Sequence, residues 1–167
     1  MNRQVNLPTP AFMVVTALDD RVTDSLGHRP GSPYVEEVWL GVLGPTTTWA
    51  WLRLARVAEQ SPGSALDMAD LARSLGLSTG TGANAPISRT LGRLVVFGAA
   101  QRAGDTLVVR RALPDVPQRL LVTQAASARP AHERLAHTLV ARRSAVPPAP
   151  AASSSAAAWL DGPGVVL

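Results

Sequence analysis

The chain has 167 residues, enough for one domain of ordinary size with tails, and its 4% aromatic content is too low for an extensive β-sandwich core. No cysteine is present, which excludes a disulfide framework, a cysteine-based zinc finger and a thiol nucleophile. All sixteen basic residues are arginine, against twelve acidic ones, and the resulting net charge of +4 permits nucleic-acid binding without demanding it. Arginine in place of lysine throughout, together with abundant alanine, fits a GC-rich coding sequence. The placement of individual arginines, rather than their number, therefore bears on function.

In chain order, residues 1–31 mix Pro8, Pro10, Gly27, Pro30 and Gly31 with one short apolar run, Phe12-Met13-Val14-Val15. This predicts a flexible N-terminal arm, with the run serving as a small strand or a partner contact. No apolar span is long enough to cross a bilayer and no charged segment leads into an apolar signal, so a cytoplasmic protein without a membrane partner is expected.

From Ser32 the signals strengthen. Ser32-Pro33 reads as N-cap and first helical residue, and Tyr34, Val35, Val38, Trp39 and Val42 form a helical stripe that stops at Gly44. Pro45 opens a second helix over 46–60 with Trp49, Leu52, Ala55 and Ala58 near one face, and Ser61-Pro62-Gly63 breaks it. Asp67 is placed to cap a third helix over 68–75, with Asp70 in its first turn, Leu66 and Leu71 as a hydrophobic staple, and Gly76 as its C′ residue.

Residues 78–85 are small and polar. Thr79-Gly80-Thr81-Gly82 reads either as a spacer or as backbone amides offered to a phosphate ahead of a helix, although the GxxxxGK[ST] spacing is absent. A fourth helix over 86–97 carries Ile87, Leu91, Leu94 and Val95 on one side and Arg89, Gly92, Arg93 and Val96 on the other, ending at Gly98. Residues 99–102 and 106–111 flank Ala103-Gly104-Asp105 as a two-stranded hairpin.

Trp39-Leu40-Gly41-Val42-Leu43-Gly44-Pro45-Thr46, Leu71-Ala72-Arg73-Ser74-Leu75-Gly76-Leu77 and Ile87-Ser88-Arg89-Thr90-Leu91-Gly92-Arg93-Leu94 with Phe97-Gly98 give the chain its likeness to a family. Over 46–111 it resembles winged helix-turn-helix domains, most nearly uncharacterised ones of actinobacteria, phages and mobile elements. The resemblance implies a mainly α fold with a small β-hairpin and a winged helix domain over 32–112. It also implies a protein that binds double-stranded DNA as a transcriptional regulator or as a replication or mobile-element accessory. On that reading the 86–97 helix enters the major groove, with Ser88, Arg89, Thr90 and Arg93 toward bases or phosphates and Arg102, Arg110 and Arg111 on the neighbouring backbone. Arg89 and Arg93 stand one turn apart, and no acidic residue falls between Leu71 and Arg102.

Residues 113–143 read as a proline-bearing linker and two helices, over 118–126 and 131–143. The second, with Leu135, Leu139 and Val140 on its apolar face, either packs back on the domain or pairs with its copy in a homodimer. Residues 144–167 form a Pro/Ala/Ser-rich tail expected to be disordered, with an apolar end suited to a protein partner. His132 and His137, five apart, are read as solvated residues rather than metal ligands, and no catalytic or cofactor motif occurs, so an enzyme is not expected. The alternative is a protein-interaction module in which the winged helix docks a protein and the apolar ends bind other subunits.

Overall fold

The strand that organises the sheet comes from the segment expected to be a loose arm. The computed structural model describes residues 8–145, with side chains to residue 136; residues 1–7 of the expected arm, the side chains of Leu139 and Val140, and all but the first two residues of the tail expected over 144–167 lie outside the described residues. Strand β1, Phe12–Ala17, turns Met13 and Val15 fully inward and leaves Phe12 and Val14 outward, the period-two pattern of a half-buried strand. It pairs antiparallel with β2, Ser64–Asp67, and parallel with β4, Thr106–Val109, which in turn pairs antiparallel with β3, Ala100–Ala103. The sheet order is β2-β1-β4-β3. Four mixed strands thus replace the lone hairpin that the sequence predicts. Helix α1, Arg21–Leu26, follows β1 and is capped by Asp20, whose carboxylate accepts from the Thr23 amide. Residues 8–31 are therefore built into the fold, because Met13 and Val15 are buried only when flanked by strands from two distant parts of the chain.

A π-helical turn, Val35–Trp39, runs directly into α2, Leu40–Leu43, and buries Val35, Val38, Trp39, Val42 and Leu43. Its first turn hangs on the Ser32 carbonyl, which accepts from the Val35 and Glu36 amides, and not on the Ser32 hydroxyl expected as the cap. That hydroxyl is buried without a hydrogen-bond partner among the described residues.

Helix α3, Pro45–Gln60, begins at the expected proline but presents a different face to the core. Thr47, Thr48, Ala50, Trp51, Leu54, Ala55 and Ala58 are buried, whereas Trp49 is 60% exposed. Trp51 takes the inner position and its Nε1 donates to the Arg110 carbonyl at 2.8 Å.

Helix α4, Met68–Ser74, is capped as its sequence predicts: Asp67 accepts from the Ala69 and Asp70 amides at 2.8 and 3.1 Å. At its far end Gly76 takes a φ of 70°, and the Leu77 amide returns to the Ala72 carbonyl. Helix α5, Pro86–Val96, buries Ile87, Leu91 and Leu94 against α3 and the hairpin. Beyond β4 come α6, Gln118–Leu121, shorter than predicted, and α7, Ala128–Ala145, which packs back on the π-helical turn.

Candidate nucleic-acid interface

Each polar residue expected at DNA depends on where α5 and the hairpin turn it, and two are turned inward. Ser88 is 2% exposed and its hydroxyl bonds Thr9 Oγ1 at 2.8 Å, pinning the segment before β1 to α5. Thr90 is buried and donates back to the Pro86 carbonyl at 2.8 Å. Neither is available to a base edge. The resemblance turns them toward DNA, but Ile87, Leu91 and Leu94 define a core face wide enough to take both flanking hydroxyls with it.

Four arginines are held by the protein itself. Arg93 Nη2 donates to the Val42 carbonyl at the end of α2 at 2.6 Å, and its guanidinium lies 5.1 Å from the Phe97 ring centroid. Arg102 donates to the Gly104 carbonyl at 3.0 Å and to the Pro8 carbonyl at 2.8 Å. Arg110 pairs with Asp20 and also donates to the Gly98 carbonyl at 2.9 Å. Arg111 pairs with Asp24 and lies 4.0 Å from Asp19. The Thr23 amide and the Arg110 guanidinium together pull the Asp20 carboxyl down to about 2. These ion pairs clasp α1 onto the end of β4, so Arg110 and Arg111 serve the fold. Asp19, Asp20 and Asp24 lie in the supposed arm, which is why the sequence offers no sign of them as partners.

Arg89 is the exception. It is exposed on the first half of α5 and makes no ion pair or hydrogen bond among the described residues. Further along α5, Val96 is 45% exposed, and Val95, expected on the core side, is 39% exposed as well. The 78–85 connection is tethered rather than free, since Thr81 gives its carbonyl to the Thr9 amide at 2.9 Å and to Ser88 Oγ at 3.4 Å.

Two features escape sequence reasoning. The first is the outward side of α3, where Trp49, Arg53 and Arg56 are exposed together. A strict count of positions 46, 49, 53, 56 and 60 exposes the stripe, but two tryptophans two residues apart leave the register undecided. The second is a polar cluster around two buried rings, His28 and Tyr34. His28, 4% exposed, stacks on Tyr34 at 3.6 Å between ring centroids and sets Nε2 2.7 Å from Asp115. Tyr34 Oη lies 2.6 Å from His132 Nδ1 and accepts the Val116 amide at 2.9 Å. His132 is thus half-buried and tied to Tyr34, where the sequence predicts a freely solvated residue. Burial pushes the Tyr34 hydroxyl up to about 12 and pulls the His28 imidazole below its ordinary value, against the opposing pull of Asp115.

Comparison with protein families, with curated proteins and with solved structures finds no match to this chain. Among the described residues no helix is long and apolar enough to cross a membrane.

Proposed function

We propose that the chain is a winged helix protein that binds double-stranded DNA through α4 and α5, as a regulator or as an accessory of replication or mobile-element maintenance. The order α3, β2, α4, α5, β3, β4 supports this reading, as the helix, strand, two helices and hairpin of such a domain. The observation that carries it is Arg89, an exposed guanidinium without an ion-pair partner among the described residues, on the second helix of the pair and within a stretch from Leu71 to Arg102 that holds no carboxylate. Arg93 braces the end of that helix against α2 and thereby sets the angle at which Arg89 is presented.

The test is fluorescence anisotropy of a labelled duplex at rising salt. Wild-type affinity should fall steadily with salt, and Arg89→Ala should weaken binding about tenfold, in line with 1–3 kcal/mol for a guanidinium contact. Binding that ignores both salt and Arg89 removes the proposal.

A protein-docking role is favoured by a separate observation, the outward Val95 and Val96 on α5 with Phe12 and Val14 on the outer face of the sheet. On that reading duplex binding is absent, and Val96→Glu disrupts a protein complex instead.

A further inference from the structure

Helix α3 carries an outward stripe that serves neither the core nor the proposed duplex surface. Thr46, Trp49, Arg53, Arg56 and Gln60 follow one another at spacings of three and four, and all five are exposed. Pro45, Thr46, Trp49 and Arg53 line one side of a groove of about 240 Å³, and Ser74 and Leu75 at the end of α4 line the other. Among the described residues Arg53 and Arg56 have no ion-pair partner.

The chemistry of the stripe selects its occupant. A docked protein helix or apolar peptide needs several apolar anchors at successive turns. This stripe supplies one indole followed by two guanidiniums and an amide. A flat aromatic face beside fixed positive charges matches a nucleobase carrying its phosphates, because stacking on the ring and ion pairing to the backbone are satisfied together. The arginines lie about 6 and 10 Å along the helix axis from the tryptophan, within reach of successive phosphates of one strand. A base inside a duplex has both faces covered, so the strand must be single.

The geometry points to a binding site for single-stranded nucleic acid that starts in the groove between α3 and α4, with a base stacked on Trp49, one phosphate on Arg53 and the next on Arg56, which stands beyond the groove along α3. The groove borrows only Ser74 and Leu75 from the end of α4 and nothing from α5, so Trp49 and Arg89 test the two surfaces separately.

The full chain titrated into a fluorescein-labelled oligothymidylate at rising salt provides the test. Trp49→Ala weakens binding roughly tenfold while Trp49→Phe retains most of it. Arg53→Ala with Arg56→Ala makes the salt slope shallower by about 1.4, at about 0.7 for each single-strand phosphate. Arg89→Ala leaves oligothymidylate binding unchanged, and Trp49→Ala leaves duplex binding unchanged, which separates failure of this site from failure of α5. Three results overturn the assignment: no binding of the oligonucleotide, wild-type affinity in Trp49→Ala, or a polyglutamate peptide that binds with the same dependence on Trp49, Arg53 and Arg56. The last would make the groove an acidic-peptide site.

Discussion

Arginines at the end of β4 and arginines on the outside of α3 share a side chain and little else. Arg110 and Arg111 are drawn against Asp20 and Asp24 and tie α1 to the sheet. Arg53 and Arg56 stand exposed beside an exposed indole, with no such partner among the described residues. In a chain whose every cation is arginine, composition alone does not distinguish the two uses. The difference lies in whether a carboxylate is brought within reach by distant chain, and here the N-terminal segment brings three. A guanidinium already satisfied by a carboxylate must lose that pairing before it can neutralise a phosphate, whereas an unpaired one is ready to do so.

The comparison is broken most severely by removing the strand that anchors the clasp. Met13 is fully buried at the centre of the sheet, so Met13→Ala should lower stability by about 2–5 kcal/mol in chemical denaturation. A change of a few tenths would restore the loose arm and detach α1 from the fold.

A smaller effect sharpens the assignment of faces on α3. Trp51→Phe removes the donor of a fully buried indole from the half-buried Arg110 carbonyl and should cost about 1–3 kcal/mol. Trp49→Phe, on an exposed side chain, should fall within about 0.5 kcal/mol of wild type. Equal losses would mean that both indoles are packed.

The smallest expected effects are electrostatic and appear in melting temperature against pH. The His28 imidazole is depressed below 6.5 by burial, so the unfolded chain takes up the proton more readily. Its contribution is complete above pH 6.5 and is lost as the pH falls through the lower folded value. Asp20, held at about 2 against 3.8, contributes fully above pH 3.8 and loses that contribution as the pH drops toward 2. Asp20→Asn should flatten only the lower of these two steps. A melting temperature that stays level from pH 7 to pH 2 would contradict both.

How much of this was legible in the sequence depends on how far each determinant reaches. The cap of α4 is local: Asp67, Asp70 and Gly76 specify both ends within ten residues, and the helix forms between them. The role of β1 is not local, because Val14 pairs with Ala65 on one side and with Thr106 on the other. A six-residue strand preceded by two prolines carries no trace of those partners. The face of α3 failed for another reason. Its core side includes Thr47, Thr48 and three alanines, a weak apolar stripe against which an exposed tryptophan reads as buried. For the candidate DNA contacts, the sequence singled out Arg89 correctly as an outward residue of α5. It could not show that Arg93, Arg102, Arg110 and Arg111 find acceptors inside the fold.

The central claim is that the arginines divide into those that hold the structure and those left for a ligand. Duplex affinity and melting temperature measured together for Arg89→Ala and Arg111→Ala test it most directly. Arg89→Ala should weaken duplex binding about tenfold at unchanged melting temperature, while Arg111→Ala should lower the melting temperature and leave affinity within about twofold. Loss of affinity in Arg111→Ala equal to that in Arg89→Ala, with no change in melting temperature, would contradict it.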